Sequence, residues 1–180
     1  VEEVTSIEII QGMIMKSQLD ELKNYPYLST FVITENAVLE SSVIFAEQFK
    51  DLTSITNIKI MKKVSLMNNC FSGCTSLSSI EFKEVDVICQ ECFSGCLNLI
   101  TIKIPGCKEL RGDQIFLNCQ KLQEIDFLSL ETVDNSASNL FEGCIELTKI
   151  KLPSKEPQTF HKNAFSSCSK VTLILPDKED

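Results

Sequence analysis

The sequence predicts an α/β solenoid of about eight stacked rungs built around a parallel sheet. Two observations carry this: an apolar spacing that recurs along the whole chain, and a strand-like alternation that closes each copy. The spacing reads Phe71-Cys74-Leu77-Ile80-Phe82, then Phe93-Cys96-Leu99-Ile102-Ile104, Phe116-Cys119-Leu122-Ile125-Phe127 and Phe141-Cys144-Leu147-Ile150-Leu152. Upstream, Phe49-Leu52-Ile55-Ile58-Ile60 fits with Leu in the Cys column. Phe165-Cys168-Val171 closes the series one residue short, at Leu173 and Leu175. Phe-to-Phe steps of 22, 22, 23, 25 and 24 residues lie in the range of solenoid repeats.

The register extends backwards with less fidelity. Leu22-Tyr25-Leu28-Phe31-Ile33 keeps the spacing, and Val4-Ile7-Ile9 matches the second half of a unit. Rungs are therefore expected to end at Ile9, Ile33, Ile60, Phe82, Ile104, Phe127, Leu152 and Leu175. One repeat domain is expected over 1–180, with irregular units over 1–60, regular units over 61–176 and a tail at 177–180. The segments 10–27 and 34–48 are longer than the regular returns and break the pattern.

Within a unit, Leu99-x-x-Ile102-x-Ile104 ends in strand spacing, so each unit contributes one short strand. Parallel strands need a return path of a dozen or more residues, and each unit has one. Phe93, Cys96 and Leu99, at i, i+3 and i+6, point to a helical or 3₁₀ turn with one face inward. Gly73, Gly95 and Gly143 precede the Cys where the return turns tightly, and Pro105 and Pro153 stop strands because they cannot donate to a ladder. Stacking then places Phe on Phe, Cys on Cys and Ile on Ile as continuous rows. Burial of each ring in the Phe row stabilises by about 2–3 kcal/mol.

The strings CFSGCTSLSSIEF, CFSGCLNLITIKIP, IFLNCQKLQEIDF, LFEGCIELTKIKLP and AFSSCSKVTLILP closely resemble the leucine-rich repeats of the BspA-like (treponemal-type) family. The resemblance is strong over 64–176 and in register over 1–60. It implies a curved, right-handed leucine-rich-repeat superhelix with its parallel sheet on the concave face. It also implies adhesion or protein binding at a cell surface or in secreted form.

Nine Cys open three readings. Cys74, Cys96, Cys119, Cys144 and Cys168 share one column and read as small apolar residues of the core. A zinc site from Cys70, Cys74, Cys89, Cys92 and Cys96 is weakened because the repeat already accounts for Cys74 and Cys96. Cys70 and Cys92 are equivalent positions on adjacent rungs, close enough for a disulfide, although stacked identical residues point the same way. Only Cys89 and Cys107 fall outside both columns.

Composition excludes several classes. A net charge of −8 with a single Arg, Arg111, argues against a nucleic-acid partner. No apolar run approaches the roughly 20 residues of a membrane span. The chain opens Val1-Glu2-Glu3 inside a repeat, without a signal peptide, which reads as a fragment of a longer protein. The single His, His161, has no nucleophile or acid paired to it by motif, and no phosphate-binding loop or zinc-protease helix occurs. Acidic ends at Glu2, Glu3, Asp177, Glu179 and Asp180 read as solvated tails. No enzyme activity, metal or cofactor is expected, and a monomer is.

The candidate binding surface is the exposed strand face. Its outward column is Glu8, Val32, Lys59, Glu81, Lys103, Asp126 and Lys151, whose signs alternate from Lys59 onward. The second outward column includes Ser79, Thr101, Glu124 and Lys149. Neighbouring rungs at about 4.8 Å would set opposite charges side by side, leaving a self-neutralised face without an aromatic anchor. Two functions follow: a non-catalytic module that binds a protein or an extracellular-matrix component, or a scaffold segment of a longer array with no partner of its own.

Overall fold

The computed structural model describes residues 3–134, 137–154 and 159–176. The acidic ends at Glu2 and at Asp177, Glu179 and Asp180 lie outside them. In chain order the elements are β1 (Ser6–Ile9), β2 (Gly12–Ile14), α1 (Lys16–Asp20), β3 (Thr30–Ile33), β4 (Ala37–Leu39), β5 (Val43–Ile44), β6 (Asn57–Leu66) and β7 (Ser79–Cys89). They continue as β8 (Thr101–Lys103), β9 (Glu109–Arg111), β10 (Glu124–Asp126), β11 (Thr132–Val133), β12 (Lys149–Lys151) and β13 (Thr172–Ile174).

Every ladder among the described residues is parallel, and each pairs the positions that the repeat makes equivalent. Ile7, Phe31, Ile58, Ile80 and Ile102 form one continuous inward row through β1, β3, β6, β7 and β8. Ile125 and Ile150 continue it through β10 and β12, and Leu173 of β13 keeps the register but is exposed. The middle rungs add a second strand segment that the spacing did not predict. It runs from β5 to the ends of β6 and β7, then to β9 and β11. Register shifts in the β6–β7 ladder, between Ile60 and Lys63 and between Val64 and Leu66, mark the corner between the two segments.

The architecture is a parallel-sheet β-solenoid of about seven turns with little helix, which leaves the α/β and eight-rung details of the expectation unconfirmed. The return segments hold single i→i−3 turns, such as Cys74 N–H to Phe71 C=O and Leu77 N–H to Cys74 C=O. They do not grow into helices because left-handed residues recur four apart: Asn69 and Gly73, Glu91 and Gly95, Asn118 after Gln114. An α-helix cannot pass through positive φ. Gly73 is needed for a second reason, since a Cβ there would run into the Asp51 carboxylate of the previous rung.

The core is one cluster of buried apolar rows. The Phe row is a column of nearly parallel rings: Phe49–Phe71 at 5.0 Å, Phe71–Phe93 at 5.4 Å, Phe93–Phe116 and Phe116–Phe141 at 5.3 Å, and Phe141–Phe165 at 5.5 Å. Phe31 closes its upstream end at 5.7 Å from Phe49. The irregular segment 10–27 forms β2 and α1, and β2 pairs with β4 of segment 34–48. Gln48, a buried polar residue, ties these parts together through Lys16 C=O (3.1 Å) and Asp20 Oδ1 (2.9 Å).

Candidate binding face

Strand alternation buries Ile58, Ile60, Ile80 and Phe82 and turns Asn57, Lys59, Ser79 and Glu81 outward. The register then fixes who meets whom. Glu8, Val32, Lys59, Glu81 and Lys103 are successive partners across β1, β3, β6, β7 and β8. Beside them, Ser79 faces Thr101, whose hydroxyl donates to the Ser79 hydroxyl at 3.2 Å. Glu81 sits between two cations, Lys59 at 3.7 Å and Lys103 at 3.3 Å. On the other sheet, Asp126 holds Lys151 at 2.9 Å, and its hydrogen bond raises the Lys151 pKa. Glu124 faces Lys149 in the ladder and adds its charge to the field that raises Lys151.

The charge ladder is not continuous. Lys103 and Asp126 belong to β8 and β10, and no ladder joins these two strands. Elsewhere the first strand residues donate across the step: Ser78 and Ser79 to Thr56 C=O, Ile100 and Thr101 to Ser78 C=O, Thr148 and Lys149 to Gln123 C=O. Gln123 and Glu124 make no such bond to Ile100 among the described residues. The solenoid stays closed on its other sides through β9–β11 and through return bonds such as Phe93 N–H to Ile115 C=O. A cleft of about 540 Å³ results, with Ile102 and Ile125 at its base and Ile100 and Leu128 on its flanks. Ile102 is 8% exposed, where its row-mates Ile58 and Ile150 are 0% exposed. One signal in the sequence pointed here: Ile100 occupies the column otherwise filled by Thr56, Ser78, Gln123 and Thr148.

The Cys column has a role that the spacing did not show. Each thiol reaches the Phe carbonyl of the preceding rung: Cys74 to Phe49 (3.0 Å), Cys96 to Phe71 (3.2 Å), Cys119 to Phe93 (3.2 Å), Cys144 to Phe116 (3.0 Å) and Cys168 to Phe141 (3.1 Å). The column thus packs as a small apolar residue and also supplies a weak donor that stitches rungs. Burial pushes the Cys74 thiol up to about 12. Cys107 is likewise pushed up to about 12 by burial, in the row that contains Val85 and Leu130. These thiols stay protonated and are poor nucleophiles. Cys70 and Cys92 are free, yet their sulfurs approach to 3.1 Å. The expectation that they point alike is corrected, because parallel Cα–Cβ bonds leave χ1 free to turn one thiol toward the other.

Among the described residues no group of three or more His, Cys, Asp or Glu could hold a metal ion. His161 is partly exposed and accepts the Asn163 N–H at 3.3 Å. No helix among the described residues is long and apolar enough to cross a membrane.

Residues 42–172 match six copies of the family model described as the BspA type leucine-rich repeat region. The chain belongs to the BspA-type leucine-rich repeat family. Among solved structures, this repeat module is similar to a leucine-rich repeat protein of T. pallidum, with a TM-score of 0.60 at 16% identity, covering 98% of this chain and 78% of that one. That likeness is one of fold. A leucine-rich repeat protein of Bacteroides ovatus matches with a TM-score of 0.48 at 18% identity, covering 95% of this chain and 54% of that one. Comparison with curated proteins finds no match.

Proposed function

We propose that this leucine-rich repeat module is a non-catalytic binding domain. It takes up another protein, or a protein of the extracellular matrix, on its sheet face while itself remaining a monomer. The observation that carries the reading is the register of the outward columns. Five successive rungs present Glu8, Val32, Lys59, Glu81 and Lys103 in one row on a rigid, fully laddered support. A rigid platform loses little conformational entropy on binding, and paired charges of both signs select a partner by complementarity rather than by bulk attraction. Adhesion at a cell surface is the setting that the family resemblance suggests. A second reading, a scaffold segment within a longer array, draws on the exposed apolar residues Leu173 and Ile174 of β13 and Leu175 just after it.

Affinity capture from host and parental-cell extracts tests the first reading, with the triple reversal Lys59→Glu, Glu81→Lys, Lys103→Glu as the control. A specific partner retained by the native chain and lost by the reversed one is expected. A partner held equally by both would sink recognition by this face.

A further inference from the structure

We propose that Cys70 and Cys92 are a latent inter-rung disulfide, closed by a small-molecule disulfide such as oxidised glutathione as their two rungs stack during folding. The repeat makes the two residues equivalent, and the backbone fixes their separation. Asn69 N–H donates to Gln90 C=O at 2.9 Å and Phe71 N–H to Cys92 C=O at 2.9 Å, so bonds between adjacent rungs bracket the pair. Rungs at a ladder spacing of about 4.8 Å hold the Cα atoms inside the range of roughly 4.4–6.8 Å that a disulfide spans. The sulfurs already approach to 3.1 Å, and about 1 Å of further approach by side-chain rotation makes the bond.

The other thiols are directed elsewhere. Cys74, Cys96, Cys119, Cys144 and Cys168 are each aimed at a Phe carbonyl of the preceding rung. Cys70 and Cys92 turn to each other instead. Their own column continues as Gln48 on one side and Ile115 on the other, so no third thiol extends the pair. Cys89 is the competitor by sequence, because Cys89-x-x-Cys92 is a redox spacing and Cys92 N–H bonds to Cys89 C=O at 3.3 Å. Strand alternation separates it from the pair. Ile88 faces inward on Leu110, whereas Cys89 stands beside Arg111, outside the apolar cluster that contains Cys70 and Cys92.

Burial decides when the bond forms. Both thiols are 0% exposed, and burial raises the Cys92 thiol. The closed core therefore withholds both the thiolate and the access that exchange needs. In the folding chain the two thiols are accessible. The Cys70 thiolate attacks one sulfur of oxidised glutathione, the S–S bond breaks, and one glutathione leaves as its thiolate. The Cys92 thiolate then attacks the Cys70 sulfur of the mixed disulfide and releases the second glutathione. The two Cys lose two electrons and two protons, and two glutathione thiols carry them away. The product joins the rungs that carry Glu81 and Lys103, and it closes a loop whose ends lie 22 residues apart. That restricts the unfolded chain and so stabilises the fold. The module is stapled in an oxidising compartment and unstapled in a reducing one.

The test refolds the reduced full chain from urea in a mixture of oxidised and reduced glutathione, alkylates the remaining thiols and maps cross-linked peptides by mass spectrometry. A Cys70–Cys92 bond is expected, with the other seven of the nine Cys alkylated. The urea midpoint should exceed that of the chain refolded with a phosphine reductant by about 1 M or more. This gain should vanish in Cys70→Ala and survive in Cys89→Ala. Folded, reduced chain placed in the same glutathione mixture should close the bond at least about tenfold more slowly. No bond, a dominant bond between another pair such as Cys89 with Cys92 or Cys119 with Cys144, an unchanged midpoint, or equally fast closure in the folded chain would each overturn the proposal. The peptide map and midpoint of the native chain decide the matter even where Cys70→Ala fails to fold.

Discussion

Raising the pH of the reduced protein toward about 10.5 should unfold it through its buried thiols, and the structure sets the size of the effect. Cys74 and Cys107 are buried, and burial pushes both thiols up to about 12 from an ordinary 9.0. A pKa raised in the folded state contributes stability that is complete below the unfolded value. That stability is lost as pH climbs from there toward the folded value. At pH 10.5 the unfolded thiols sit about 1.5 units past their own pKa, so each costs about 2 kcal/mol and the two together about 4 kcal/mol. Cys92, Cys96 and Cys119 are shifted in the same direction by burial and steepen the loss. Native domains have only about 5–15 kcal/mol to lose. The Lys63 and Lys151 ion pairs weaken only above the ordinary lysine value of 10.5, which leaves the lower window to the thiols. Urea unfolding followed by circular dichroism at pH 8, 9, 10 and 10.5, with a phosphine reductant present, measures the trend. The double variant Cys74→Val, Cys107→Val should recover about 4 kcal/mol of the alkaline loss. A free energy of unfolding that moves by less than about 1 kcal/mol over this range would refute the assignment of these thiols to a dry core.

The Phe row offers a second check: Phe93, fully buried between Phe71 at 5.4 Å and Phe116 at 5.3 Å, should cost about 3–5 kcal/mol of urea-measured stability when changed to Ala. A loss below about 1 kcal/mol would mean that the rings do not form a packed spine. Gly73→Ala should destabilise by about 1–3 kcal/mol because φ is +74° and the new Cβ meets the Asp51 carboxylate. Adding Asp51→Ala should return part of that loss in a double-mutant cycle, and a purely additive cycle would show that the contact is absent.

Much of this protein was legible from spacing alone. Rows such as Phe71, Phe93 and Phe116 stack because every unit repeats the same path, so equal positions in sequence become neighbours in space. The outward columns followed from the same rule, and Lys59, Glu81 and Lys103 do stand side by side. What spacing hides is local backbone sign and local fit. The spacing allowed a helical or a 3₁₀ turn in the return, and the positive φ of Asn69 and Gly73 keeps it to separate i→i−3 turns. The second strand segment, from β5 to β11, depends on the corner that the β6–β7 register shifts create.

The thiol-to-carbonyl bonds of Cys74 and its column mates were equally out of reach, since Leu52 fills the same column without a donor. The break between β8 and β10 is the clearest case. Ile102 and Ile125 satisfy the repeat as well as Ile80 does, yet their strands do not ladder. The order of rungs, the buried rows and the outward face were determined by the sequence pattern, because a periodic chain leaves one register that buries every apolar column. Where that stack opens was decided only in three dimensions, because hydrogen bonding between two rungs depends on their spacing and tilt. Identical apolar columns on both sides carry no record of either.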